Sequence, residues 1–178
     1  QSAKTDPIDA RVIRLFAQAC DPHPTPPPSE AAVQLRKLVL AREALTKCST
    51  ELCGTLDSVE GCQAAKILKK EIASIKKHIA QLEDQIHETL QSDEKLGGLS
   101  EALCEIKGVG TITAAAILAY APEIGTLGRR QAGALAGLAP YSRDSGRFKG
   151  KTFISGGRRQ VRCALFMLRP TPQFRTIT

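Results

Sequence analysis

The clearest pattern lies in the middle of the chain. Leu68, Ile72, Ile75, Ile79, Leu82 and Ile86 recur at spacings of 4, 3, 4, 3 and 4. That repeat puts all six on one seam of an α-helix, in the a/d arrangement of a coiled coil. Upstream, Leu35, Leu38, Leu45, Leu52 and Leu56 keep near-heptad spacing, and Ser29 stands where it can cap their helix. A break at residues 58–62 separates the two segments. Two long helices joined by a short loop fold back as an antiparallel hairpin. Because Arg42 and Ser49 interrupt the first seam, an ordinary pair of bundle helices with no partner chain is the alternative. Either form makes the centre of the protein a helical spacer, and the coiled-coil form makes it a dimerisation arm.

The flanks follow other patterns. Residues 5–19 predict a short amphipathic helix with Thr5 or Asp6 as cap, Pro7 in its first turn, and Ile8, Val12, Leu15, Phe16 and Ala19 along one face. The run DPHPTPPPS (21–29) stops any helix and favours an extended spacer. In LCEIKGVGTITAAAILAYAPEIG (103–125), Gly108 and Gly110 frame Val109 between two apolar helical segments, and Thr111 or Thr113 is placed to cap the second. This is the form of a helix-hairpin-helix turn, in which glycines let the backbone approach a phosphate and the next helix's N–H groups hold it. A plain helical turn is the competing interpretation. Beyond it come a small-residue helix (131–138), a loop rich in Ser, Gly and Arg, a short strand or hairpin at 152–154, and a helix from about Arg158. The fold class is mainly α.

Charge sharpens the picture of the C-terminal part. Residues 1–128 carry 14 Lys and Arg against 17 Asp and Glu, whereas residues 129–178 carry 11 against Asp144 alone, so a net +7 divides into −3 and +10. Arg supplies nine of those last 11 cations, and its fork matches phosphate geometry. Nucleic acid is the partner this predicts. Five Phe, two Tyr and no Trp leave little for base stacking, so contact runs through phosphates and backbone amides. No stretch reaches the roughly 18 to 20 apolar residues of a bilayer span. Six cysteines without a CxxC pair or a zinc-like grouping with His read as reduced thiols of a cytosolic protein. The lone Met167 and a start directly on a motif-like string suggest a piece of a longer protein.

Two groups of residues carry candidate chemistry. Asp6 and Asp9 project from one face of a helix within one turn, a spacing at which two carboxylates share a divalent metal, although capping and the helix's positive end explain them as well. Two-metal phosphoryl-transfer sites take more than one such pair. Ser142 and Ser145 lie in YSRDSGRFKGK among Arg143, Arg147, Lys149 and Lys151. The three histidines, His23, His78 and His87, lie in the spacer segments, which argues against a Ser-His triad. By composition alone these serines are phosphate-contacting loop residues.

Taken together, KTDPIDARVIRLFAQA (4–19) resembles the last carboxylate motif of the RuvC-like DEDD transposases of the insertion-sequence family one-ten. EIKGVGTITAAAILAYAPEIG with RRQAGALAGLAPYSRDSGRFKGKTFISGGRRQVRCALFML resembles that family's C-terminal transposase domain. The resemblance covers roughly residues 3–168. It implies a DNA recombinase of bacteria or archaea, guided by a structured bridge RNA, in which carboxylates bind Mg²⁺ and a serine forms a covalent link to DNA. By motif, Asp6 and Asp9 take the places of the last two carboxylates and Ser145 that of the nucleophile. Gly108, Gly110, Thr111, Arg143, Arg147, Lys149, Lys151, Arg158 and Arg159 are the expected nucleic-acid contacts.

The organisation it implies is the end of a RuvC-like domain (1–20), a Pro-rich linker (21–29), a coiled-coil hairpin through which the protein self-associates (30–95), a transposase domain (96–168) and a divergent tail (169–178). Lys107 stands where the family commonly has Pro, and Pro170 and Pro172 interrupt a helix that the family continues. The other two carboxylates of the family's set lie upstream of the matched motif, so this chain is expected to be an inactive fragment. The alternative from a different class is a non-catalytic helical DNA- or RNA-binding module.

Overall fold

The computed structural model describes residues 6–20, 27–141, 153–154 and 156–166. Their elements are α1 (Asp6–Cys20), α2 (Glu30–Ser58), α3 (Gln63–Ser92), α4 (Glu94–Cys104), α5 (Thr111–Tyr120), a 3-10 turn (Ile124–Thr126), α6 (Arg129–Leu135), strands β1 (Pro140–Tyr141) and β2 (Phe153–Ile154), and α7 (Arg159–Phe166). The protein is mainly α, with its two-residue strands forming one antiparallel ladder.

The leucine and isoleucine seams pack as their spacing predicts. On α3, Ile72 and Ile86 are buried and Leu68, Ile75, Ile79 and Leu82 half-buried; on α2, Leu35 and Leu38 are buried and Leu45, Leu52 and Leu56 half-buried. The residues that interrupt the α2 seam are accommodated in two ways. Arg42 reaches across to Glu83, with its Nε and Nη2 both 2.7 Å from Oε1. Ser49 is small enough to lie buried between the helices. A turn with Gly61 at φ 87° reverses the chain between them. The seam of α3 is therefore covered by α2 of the same chain.

At the open end of the hairpin two caps are linked. The Ser29 hydroxyl oxygen accepts from the Ala32 N–H at 3.1 Å, as expected of a cap, and the same hydroxyl donates to Asp93 Oδ2 at 3.1 Å. Asp93 in turn caps α4, its Oδ1 accepting from the Leu96 N–H at 3.0 Å. The start of α2 and the α3–α4 corner are thus held together by one serine and one aspartate.

The main core lies at this end. It joins Leu35, Leu38 and Val39 of α2 and Ile86 and Leu90 of α3 to Leu96, Ala115, Leu118, Ala119, Tyr120, Ala121, Ala136 and Val161. The base of the hairpin and the C-terminal region therefore share one hydrophobic core and are not separate packing units. In its centre is α5, where Ala114, Ala115, Ile117, Leu118, Ala119 and Tyr120 are all buried. A helix apolar on every side belongs inside a fold, and α5 packs against α2, α3, α4 and α7. Its one large polar group is satisfied, because the Tyr120 hydroxyl donates to Glu43 Oε2 at 2.6 Å. Burial first, and then that hydrogen bond, push the phenol above its ordinary pKa. The apolar face of α1 is displayed differently: Ile8, Val12, Leu15 and Phe16 are exposed.

Leu118 is 1% exposed and Leu40, on the outer face of α2, is 49% exposed. Leu118→Ala should cost about 2–5 kcal/mol through lost burial and the cavity left behind, whereas Leu40→Ala should stay within about 0.5 kcal/mol. Urea-unfolding midpoints of the two variants would show the difference, and equal midpoints would contradict the central place of α5.

Candidate nucleic-acid interface

The turn between α4 and α5 is built as a glycine turn requires. The Val109 N–H donates to the Ile106 carbonyl at 2.9 Å, and Gly108 has φ 96°, a left-handed value that a side chain would strain. Val109, between the two glycines, is buried at 7% exposure. Gly110, at φ −93°, is the N-cap of α5. The expected threonine cap is not formed: Thr111 is already the first helical residue, Thr113 lies within the first turn, and no side chain caps the helix. Nothing lies within 4 Å of where a Cβ on Gly110 would stand, so the backbone there is open to close approach.

A second glycine cluster lies beside the two strands. Gly137, Gly156 and Gly157 have φ of 67°, 74° and 68°. The backbones at Gly137 and Gly157 cross so closely that a Cβ on either would run into the other strand of chain. Two hydrogen bonds fix the crossing: the Arg158 N–H donates to the Leu135 carbonyl at 2.7 Å, and Arg162 Nη1 donates to the Gly156 carbonyl at 2.9 Å. Immediately beyond it, Pro140 pairs with Ile154 and Tyr141 with Phe153. The expected short strand at 152–154 is found at Phe153–Ile154. Ser142, Arg143, Ser145, Arg147, Lys149 and Lys151 belong to the segment joining the two strands and lie outside the described residues.

The two remaining arginines of the expected set sit side by side but differ in use. Arg158 is committed to the fold: its Nη1 donates to the Tyr120 carbonyl at 2.6 Å and to Glu123 Oε2 at 2.9 Å, and its Nη2 lies 2.6 Å from Glu123 Oε1. It ties the start of α7 to the end of α5, and its hydrogen bonds hold the Glu123 carboxyl below its ordinary pKa. Arg159 is exposed and makes no ion pair among the described residues. It opens α7, just as Arg129 and Arg130, both exposed, open α6. Cations in a first helical turn oppose the helix dipole, a cost that a bound anion removes. Arg129 and Arg130 were not among the expected contacts; their exposed position at the start of α6 follows the RR pair just ahead of the small-residue helix.

Asp6 and Asp9 stand in the first turn of α1. Asp6 is exposed, Asp9 half-buried, and neither makes a hydrogen bond or ion pair among the described residues. Carboxylate oxygens are suitable donors for Mg²⁺. Among the described residues, however, no group of three or more His, Cys, Asp or Glu side chains converges. The pair alone does not fit a resident two-metal centre.

The parts described here are a glycine turn opening a buried helix and a glycine-braced two-stranded ladder, in a domain that is mainly helical. Residues 100–171 match the family described as Transposase IS116/IS110/IS902 family. Over those residues the chain matches a transposase domain, consistent with the C-terminal portion of a transposase of that family, and such a domain implies DNA binding. A search of the curated proteins finds no match to the chain. No helix among the described residues is long and apolar enough to cross a membrane.

The glycine crossing and the Arg158 clamp can be tested by stability. Gly157→Ala should destabilise, because it combines left-handed strain with backbone overlap. Gly54→Ala, in the open interior of α2, should stabilise by up to about 1 kcal/mol. Glu123, held below its ordinary 4.5, stabilises the fold above that value, and this contribution is lost as pH falls through its lowered pKa. Thermal melts from neutral pH into the acid range should therefore fall more steeply for the parent protein than for Glu123→Gln, and parallel curves would show that the clamp contributes nothing.

Proposed function

We propose that this chain is the arm and C-terminal catalytic portion of a DNA transposase that acts by strand transfer through a serine nucleophile. The observation that carries the proposal is the family match over residues 100–171, which spans the Gly108–Gly110 turn, the Gly137–Gly157 crossing and the serines and cations of 142–151. In this scheme Gly108, Gly110 and Thr111 take one phosphate at the open end of α5, and Arg143, Arg147, Lys149, Lys151 and Arg159 take others. Arg158 acts from behind as a positioning residue.

Ser145 attacks phosphorus. Its Oγ–P bond forms as one P–O bond of the phosphodiester breaks, the serine proton passes to solvent, and the freed sugar oxygen becomes a hydroxyl. Surrounding guanidinium groups favour the charge that builds on the phosphoryl oxygens. Asp6 and Asp9 would hold part of a Mg²⁺ site completed by carboxylates from elsewhere, and such a metal would supply activation of the phosphodiester. A structured guide RNA selects the DNA, and the working form is a homo-oligomer in a bacterial or archaeal cytoplasm. Since α2 covers the seam of α3, a second copy must meet the arm on another surface.

The purified 178-residue chain with Mg²⁺ should not cleave DNA. Joined to a RuvC-like segment carrying the other two carboxylates, it should form a protein–DNA adduct that survives denaturation. Ser145→Ala should abolish that adduct and Ser142→Ala should leave most of it. Equal loss in both would remove the assignment of Ser145. Tight DNA binding without any adduct would favour the alternative, a non-catalytic helical DNA- or RNA-binding module.

A further inference from the structure

The arm carries a second concentration of positive charge that the overall charge count conceals. Lys66, Lys69, Lys70, Lys76 and Lys77 all lie on α3 and all are exposed. At about 100° per residue they fall, with Ala73 and Ala80 between them, within an arc of roughly 120° turned away from the isoleucine seam. Every residue three or four positions from any of them is uncharged or another lysine. None makes an ion pair among the described residues. The acidic residues of the hairpin that do pair are engaged elsewhere, Glu83 with Arg42 and Glu51 with Lys47.

Lysines four apart, such as Lys66 and Lys70, repel one another, at roughly 0.2–0.5 kcal/mol per pair. A face that served only for solubility would mix signs, as α2 does at Lys47 and Glu51. One sign sustained over about 16 Å of helix is complementary to a polyanion of matching dimensions. The Lys69–Lys70 and Lys76–Lys77 pairs are about 10 Å apart along the helix, near the roughly 12 Å width of a B-DNA major groove, so they can reach phosphates on both of its rims. Ammonium groups act as point charges without bidentate geometry, and no aromatic residue stands on the stripe. Such a surface grips a duplex backbone and reads neither sequence nor unstacked bases.

We infer that the exposed face of α3 from Lys66 to Lys77 is a second nucleic-acid contact, a sequence-independent rail for the phosphate backbone of a duplex. It lies on the half of the hairpin near the α2–α3 turn, with Lys66 about 30 Å along α3 from Ile86 in the core. In the proposed scheme this rail is a contact additional to those of the C-terminal domain. Nucleic acid as the partner rests on the transposase reading, whereas the stripe itself rests on α3.

The test uses the full chain, a fluorescent DNA duplex and a fluorescent RNA duplex of arbitrary sequence, and salt titrations of affinity. The variants are Lys69→Gln, Lys70→Gln, Lys76→Gln and Lys77→Gln combined, Lys47→Gln as a paired-lysine control, and Arg159→Gln in the C-terminal domain. Gln keeps the helix, and circular dichroism confirms it. The slope of log K against log salt should shallow by about 2 to 4 in the combined variant on DNA, at about 0.9 per lost contact. Lys47→Gln should match the parent. The duplex on which the loss is larger identifies the natural strand type. A parent-like slope in the combined variant with weakened binding in Arg159→Gln overturns the rail and leaves the transposase reading standing. A parent chain that binds neither duplex overturns both.

Discussion

A ten-residue helix with no polar face governs this structure. Because α5 buries every one of its sides, it needs neighbours all round, and α2, α3, α4 and α7 are the helices that supply them. Each large apolar side chain buried there contributes about 1.5–3 kcal/mol. The polar links at its end are smaller in scale: the Arg158–Glu123 pair has side chains 42% and 35% exposed, and such pairs are worth roughly 0–1 kcal/mol. Packing therefore decides where α5 sits, and the polar contacts decide which way its ends face. Its N-terminus opens at the Gly108–Gly110 turn, and its C-terminal Tyr120 carbonyl receives Arg158 at the start of α7. Burying one short segment thus sets the relative positions of two candidate phosphate contacts.

The same core reaches into the arm. Leu35, Leu38, Ile86 and Leu90 belong equally to the hairpin and to the packing around α5, and Ser29 and Asp93 join two helix caps across that junction. An arm rooted in this way transmits the orientation of the C-terminal domain to its far end, because turning it would require repacking the core around Leu118. A hairpin attached only by a loop would lack that coupling.

What the sequence revealed and what it concealed divide along the range of the interactions. The α3 seam, the break at residues 58–62 and the Ser29 cap depend on neighbours a few positions away, and all were legible. Arg42 and Ser49 looked like faults in the α2 seam, yet they are accommodated by Glu83, forty-one residues on, and by small size. The threonines after Gly110 looked like caps, but the helix starts one residue earlier, so Thr111 enters the helix and Gly110 takes the cap position. Nothing local marks Gly137 and Gly157 as crossing partners, since the requirement arises only when α7 docks on α5. For the same reason Arg158 could not be told from Arg159 in sequence. The serines and cations of 142–151 lie outside the described residues, and their roles rest on motif and on the ladder that flanks them.

The basic residues can be sorted by what the fold gains from them. Arg42, Lys47, Arg158 and Arg162 have acceptors within the chain and are accounted for by folding alone. Arg129, Arg130 and Arg159 stand at helix N-termini, where the dipole opposes them, and the α3 lysines stand beside one another. In a sequence whose other local choices agree with its fold, such conflicts cluster where function is served. One kind of ligand relieves both sets at once, because a phosphate backbone supplies negative charge to a helix N-terminus and to a row of ammonium groups alike. On the proposed reading, the arm and the C-terminal domain offer two such sets of cations, joined through the hydrophobic core they share.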